Sequence, residues 1–124
     1  MNDRFKFRYV YRNKIYDVMK LNFFLRELEL DMGCYTETYK LNPDNLLQCT
    51  GLKDKNGTLI YEGDVIKSEK YGNRCGYVVK WNPRGFWSLY SFYTLSSAYN
   101  LLSTDYEVIG NIYENPELLE KQND

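Results

Sequence analysis

The chain has 124 residues, with 16 Lys plus Arg against 17 Asp plus Glu and a formal net charge of −1. That length suits one domain able to bury about two-thirds of its unfolded surface, and the near-zero charge excludes bulk electrostatic attraction of the whole molecule to nucleic acid. The lack of histidine removes the commonest general base and metal ligand near neutral pH, while 13 tyrosines and six phenylalanines favour half-buried sheet, where a ring packs and a hydroxyl stays on water or a partner.

Residues 5–11 alternate, with Phe5, Phe7, Tyr9 and Tyr11 on one side and Lys6 and Arg8 on the other, the pattern of a half-buried strand. Arg12-Asn13-Lys14 is a polar turn, and Ile15 to Val18 return as the partner, giving an N-terminal hairpin over about 4–18. The first twenty residues are basic (Arg4, Lys6, Arg8, Arg12, Lys14, Lys20) and the stretch from 105 onward is acidic. Two solvated ends account for this asymmetry, and attraction between them is the alternative.

Residues 19–41 send mixed signals. Leu21, Phe24, Leu25 and Leu28 are spaced as on a helix face. The alternation Leu28-Glu29-Leu30, the turn Asp31-Met32-Gly33 and the Tyr- and Thr-rich run from Cys34 to Lys40 favour strands on either side of that turn. Asn42 followed by Pro43 reads as a cap with proline at the first helical position, hence one short helical turn.

The stretch from Cys49 to Ile66 organises the rest. In 54–57 the Asp54 side chain can take a backbone amide two residues on, and Asn56 and Gly57 tolerate positive φ, so the chain reverses there. Glu62-Gly63 is a second bend. Glu62 and Asp64 would share a face of a strand and could hold a cation, but turn acceptors bonded to backbone amides are the plainer reading. A strand over 64–68, an exposed loop over 70–74, and a hairpin of 75–81 with 86–90 around Asn82-Pro83-Arg84-Gly85 follow. Leu95, Ala98, Tyr99 and Leu102 share a helical face. The last strand is 106–113, where Gly110 leaves room for a bulge or a close neighbouring backbone. Asn115 and Pro116 then open a helical turn over about 115–121.

These elements predict a mainly β, single domain over 1–124: a small SH3-like or irregular β-barrel with its core over about 46–113, the N-terminal hairpin added to it, and two or three short helices. Cys34, Cys49 and Cys75 lack C-x-x-C spacing and read as reduced, mostly packed thiols. With no apolar run of membrane length and no signal-peptide core, a cytoplasmic protein without a membrane partner is expected.

Thr50-Gly51-Leu52-Lys53-Asp54-Lys55-Asn56-Gly57 with Ile60-Tyr61-Glu62-Gly63-Asp64-Val65-Ile66, and Glu107-Val108-Ile109-Gly110-Asn111-Ile112-Tyr113 leading into Glu114-Asn115-Pro116-Glu117-Leu118-Leu119, resemble the central and C-terminal motifs of the YopX family of phage and prophage proteins. The resemblance implies a mainly β, phage-encoded domain and brings no catalytic set to carry over. Gly51, Asp54, Asn56, Gly57, Tyr61, Gly63, Asp64, Gly110 and Pro116 read as scaffold: glycines for bends, aspartates for capping turns, Tyr61 for packing.

No G-x-S-x-G, P-loop or G-x-G-x-x-G is present, so no enzyme, cofactor, metal or small-molecule substrate is expected. A Tyr-rich surface over 87–99 favours a binding or assembly module that works by protein association, with itself or another protein. The alternative is a single-stranded nucleic-acid-binding barrel, with Lys80, Arg84, Trp87, Tyr90 and Tyr93 as a stacking and basic surface. The plain alternative for these aromatics is burial in the core.

Overall fold

The computed structural model describes residues 3–67, 76–91, 96–100 and 106–119. In chain order the strands are β1 (Phe7–Tyr11), β2 (Lys14–Asn22), β3 (Glu27–Asp31), β4 (Thr36–Lys40), β5 (Leu46–Lys53), β6 (Leu59–Tyr61), β7 (Asp64–Lys67), β8 (Tyr77–Asn82), β9 (Phe86–Ser91), β10 (Ser96–Asn100) and β11 (Glu107–Asn111). They form a six-stranded sheet ordered β4-β3-β2-β1-β5-β6 and a five-stranded sheet ordered β10-β9-β8-β7-β11. Every described pairing is antiparallel.

The opening hairpin is tighter than its polar turn suggested. Tyr11 pairs with Lys14, so the loop is Arg12-Asn13 alone, with φ of 52° and 62°. Two successive left-handed residues make the two-residue turn whose twist matches that of the flanking strands. The β2–β3 hairpin turns through residues 23–26. There the Asn22 side chain accepts from the Leu25 amide at 3.0 Å, and Arg26 takes a φ of 55°.

The first sheet curls on itself. The Tyr11 and Tyr39 rings lie 4.5 Å apart, although β2 and β3 stand between their strands. The Tyr9 hydroxyl donates to the Lys40 carbonyl at 3.4 Å and accepts from the Asn42 amide at 3.0 Å. Inside the curl sit buried Tyr9, Leu28 and Leu30, flanked by Tyr16, Val18 and Leu46. A second core, of Ile60, Ile66, Val79, Leu89 and Tyr106, joins β6 of the first sheet to the strands of the second.

Four expectations need correction. The barrel does not close: both sheets are open, because β6 has only three residues before the Glu62-Gly63 bend carries the chain into the other sheet. The helix placed on Leu95, Ala98, Tyr99 and Leu102 is instead β10 over Ser96–Asn100, paired with β9 around a bulge between Ser97 and Tyr99; Leu95 and Leu102 lie outside the described residues. Pairing with a neighbouring strand has overridden a four-residue spacing that local sequence alone cannot decide. The helical segments described are short 3-10 turns at Asp3–Phe5, Pro43–Asn45 and Pro116–Leu119. The first of these moves Phe5 out of β1 and leaves it 70% exposed. Cys49 is packed but Cys34 is exposed, since it lies in the β3–β4 turn; Cys75 and the 70–74 loop lie outside the described residues.

Candidate functional site

Three places on the molecule bring chemistry-bearing or recognition-bearing side chains together. The first is the joint between the sheets. Asp54 is buried; its Oδ1 accepts from the amides of Asn56 at 2.8 Å and Thr58 at 2.9 Å, and its Oδ2 from the Val108 amide at 2.9 Å. Burial alone would raise this carboxyl, but the three amides and nearby Lys55 outweigh it and hold the group below its ordinary value. Gly57 closes the turn at φ 83°, with its amide on the Asp54 carbonyl at 3.0 Å. The Asn56 side chain reaches Glu107 at 3.4 Å.

Tyr61, Gly63 and Asp64 make the crossing between sheets. Asp64 is 2% exposed, and its Oδ2 accepts from the Tyr61 amide at 2.8 Å. Burial pushes its carboxyl up to about 6, against the opposing pull of that amide and of Arg8. The Arg8 guanidinium lies 3.9 Å from the centre of the Tyr61 ring and 3.5 Å from Asp17. Gly63, at φ 86°, donates to the Val79 carbonyl at 2.9 Å and accepts from the Ile112 amide at 3.0 Å. Gly51 lies under the Arg4 side chain and Gly110 against Asn115 and Leu118, each too close for a side chain of its own. Pro116 opens the last 3-10 turn. Beside the joint, a cavity of about 420 Å³ is lined by Arg8, Asp17, Asp31, Asn111 and Glu114, where Glu114 accepts from the Ile15 amide at 3.2 Å and from Asn111 Nδ2 at 2.9 Å. These carboxylates are held by backbone amides, side-chain amides and Arg8; among the described residues no cluster has the make-up of a metal site.

The second place is the β8–β9 hairpin. Trp81 and Trp87 are opposite one another, with rings 5.1 Å apart edge to face. Trp87 is half-buried against the second core, whereas Trp81 is 51% exposed. Lys80 and Tyr90 project from the other face, the ammonium 4.6 Å from the ring centre. Arg84 is exposed in the turn, its amide on the Asn82 side chain at 2.9 Å. The structure therefore brings Lys80 to Tyr90, separates that pair from Trp87, and sets Arg84 at the tip; Tyr93 lies outside the described residues.

The third place lies where the sequence sends mixed signals, helical spacing against strand alternation. At the β2–β3 turn Phe23 is 66%, Phe24 94% and Leu25 58% exposed. Using about 150–250 Å² per aromatic side chain, the two phenylalanines alone present roughly 250–400 Å² of apolar surface. Patches of that size mark contact sites. Asn22, which starts the turn, was the available signal. A groove of about 580 Å³ opens elsewhere on the same sheet, lined by Phe5, Phe7, Val18, Leu59 and Tyr61 together with the charged Lys6, Arg8 and Asp17, of which Lys6 pairs with Asp3 and Arg8 with Asp17.

Comparison with known proteins adds an independent line. The YopX protein family matches residues 4–120. Among solved structures the chain is similar to the crystal structure of protein EF1440 from Enterococcus faecalis, with 28% identity, a TM-score of 0.54, and 93% of this chain and 97% of that chain covered. The comparison with curated proteins gave no match.

Proposed function

Because the chain belongs to the YopX protein family, we propose that it is a phage- or prophage-encoded accessory protein that works in the host cytoplasm by binding another protein or a copy of itself, without catalysis. The observation that carries this reading is the turn at 23–25, where three consecutive apolar side chains stand out from a hairpin that buries none of them. Leaving Phe24 94% exposed costs hydrophobic free energy in the isolated chain that burial against a partner recovers. The test is capture from lysate of the host, comparing wild type with Phe24→Asp. Loss of a captured protein, or of self-association, in the variant supports the reading; identical capture and identical mass by light scattering refute it.

Exposed Trp81 against Trp87, with Arg84 exposed in the turn of the same hairpin, favours a second reading, stacking of single-stranded bases with local cations. Titration with oligonucleotides at low salt decides it: binding lost in the Arg84→Ala/Trp81→Ala pair supports it, and no binding removes it.

A further inference from the structure

We propose that Asn56 is a site of spontaneous covalent modification: its side chain cyclises onto the Gly57 amide, and the aspartate and isoaspartate that result loosen the joint between the two sheets.

Among the asparagines of the chain, Asn56 alone precedes glycine. The amide nitrogen of the following residue must reach the asparagine carboxamide carbon, and a side chain on that residue hinders the approach. Every other asparagine precedes proline, which has no N–H, or a residue with a side chain. Local structure keeps the way open. Asn56 and Gly57 are both exposed, and a Cβ at Gly57 would meet nothing within 4 Å, which leaves room for a ring and for water. The carboxamide is loosely held. Its Nδ2 reaches Glu107 Oε1 at 3.4 Å, long for a hydrogen bond, and its oxygen accepts nothing among the described residues. The Gly57 amide donates to the Asp54 carbonyl at 3.0 Å, closing the four-residue turn. That bond must open before attack, so the reaction waits on a local fluctuation.

The Gly57 nitrogen gives its proton to solvent and bonds to Asn56 Cγ; the Cγ–Nδ2 bond breaks, and ammonia leaves with a proton from water. Water then opens the succinimide at one of its two carbonyls. Cleavage of the new bond to Cγ gives aspartate, and cleavage of the old main-chain bond gives isoaspartate. Water enters, ammonia departs, and nothing is oxidised or reduced.

The surroundings make this turn sensitive to the change. Asp54 Oδ1 holds the Asn56 amide at 2.8 Å and the Thr58 amide at 2.9 Å, while Oδ2 holds the Val108 amide of the other sheet at 2.9 Å. Isoaspartate routes the main chain through Cβ and adds a bond between the first two donors, so one oxygen no longer meets both. Aspartate keeps the main chain but sets a second carboxylate beside Glu107, where like charges repel. Isoaspartate is the more damaging product.

The test is ageing of the purified full chain at mildly alkaline pH, followed by peptide mass mapping and thermal melts. The same chain aged in denaturant, where the turn is open, gives the unrestrained rate. Folded wild type is expected to convert at Asn56 before any other asparagine, more slowly than the denatured chain, and its melting temperature to fall as isoaspartate accumulates. Asn56→Gln is expected to keep its mass and its melt, because its longer side chain must close a larger, slower-forming ring. Fresh Asn56→Asp, which carries the normal product, is expected to melt between fresh and fully aged wild type. Folded wild type that retains its Asn56 amide after the denatured chain has converted overturns the proposal. So does converted protein that melts with fresh protein, or an equal fall in aged Asn56→Gln.

Discussion

Asp54 and Asp64 are both buried, yet burial leaves them with opposite proton affinities. Asp54 is surrounded by amide donors and is held low; Asp64 has one amide donor and is pushed up to about 6 from 3.8. A raised carboxylate binds its proton more tightly folded than unfolded. The stability it contributes is therefore full below about pH 3.8 and lost as pH rises through about 6, of order 3 kcal/mol at about 1.4 kcal/mol per unit. Asp54 works the other way: its contribution is present above the unfolded value and lost as pH falls. Asp64→Asn should accordingly match or exceed wild type in melting temperature at pH 7.5, with the difference vanishing near pH 4. Asp54→Asn should lose about 1–3 kcal/mol at pH 7.5, since an amide cannot accept from three backbone donors with a carboxylate's strength. Melts of the two variants from pH 4 to 8 check both signs. Glycine positions give a second contrast. Gly57→Val should cost about 1–3 kcal/mol through its positive φ alone, since a Cβ there meets nothing within 4 Å. Gly63→Ala has a similar φ and also sets its methyl 2.8 Å from Tyr113 Cε2, so it should destabilise more than Gly57→Ala in urea titrations.

Hairpins are the elements whose sequence spoke most plainly. Alternation in residues 7–11, Asn82-Pro83-Arg84-Gly85 and Asn42-Pro43 each carry their instruction within a few residues, through period-2 burial, a preset proline φ or a side-chain cap. The Arg12-Asn13 turn holds two left-handed residues, and Asn13→Gly should raise stability by about 0.5–1 kcal/mol by removing a Cβ from that region; a higher denaturation midpoint is the expected reading. Less was legible where distant chain decides. Leu21, Phe24, Leu25 and Leu28 look like a helix face, yet Leu28 is buried in the first core while Phe24 and Leu25 form an exposed tip. Residues 96–100 became a strand because β9 offered a partner. The exposed patch was hidden for the same reason: apolar residues announce burial by default, and only the Asn22 turn reveals that these three point outward.

At the scale of the molecule, barrel closure was not legible because it depends on strand order, which local patterns do not encode. The two cores are tied by shared pieces: Ile60 from the first sheet, Asp54 on Val108, and Glu114 on Ile15. They should therefore unfold together. Leu30→Ala, in the first core, should cost about 2–5 kcal/mol and shift the fluorescence transition of Trp81 and Trp87 in the second sheet by as much as the far-UV transition; a tryptophan signal unmoved by that substitution would mean independent units. The bond between Asp54 and Val108 spans 54 residues, and Tyr106 belongs to the core around Ile60 and Val79. During synthesis the Asp54 carboxylate emerges long before its third donor, and the second sheet lacks its outer strand until β11 leaves the ribosome. A nascent chain halted near residue 100 would hold its first hairpins but display the apolar lining of an unfinished half, so the arrival of Tyr106 and β11 is what lets both sheets lock.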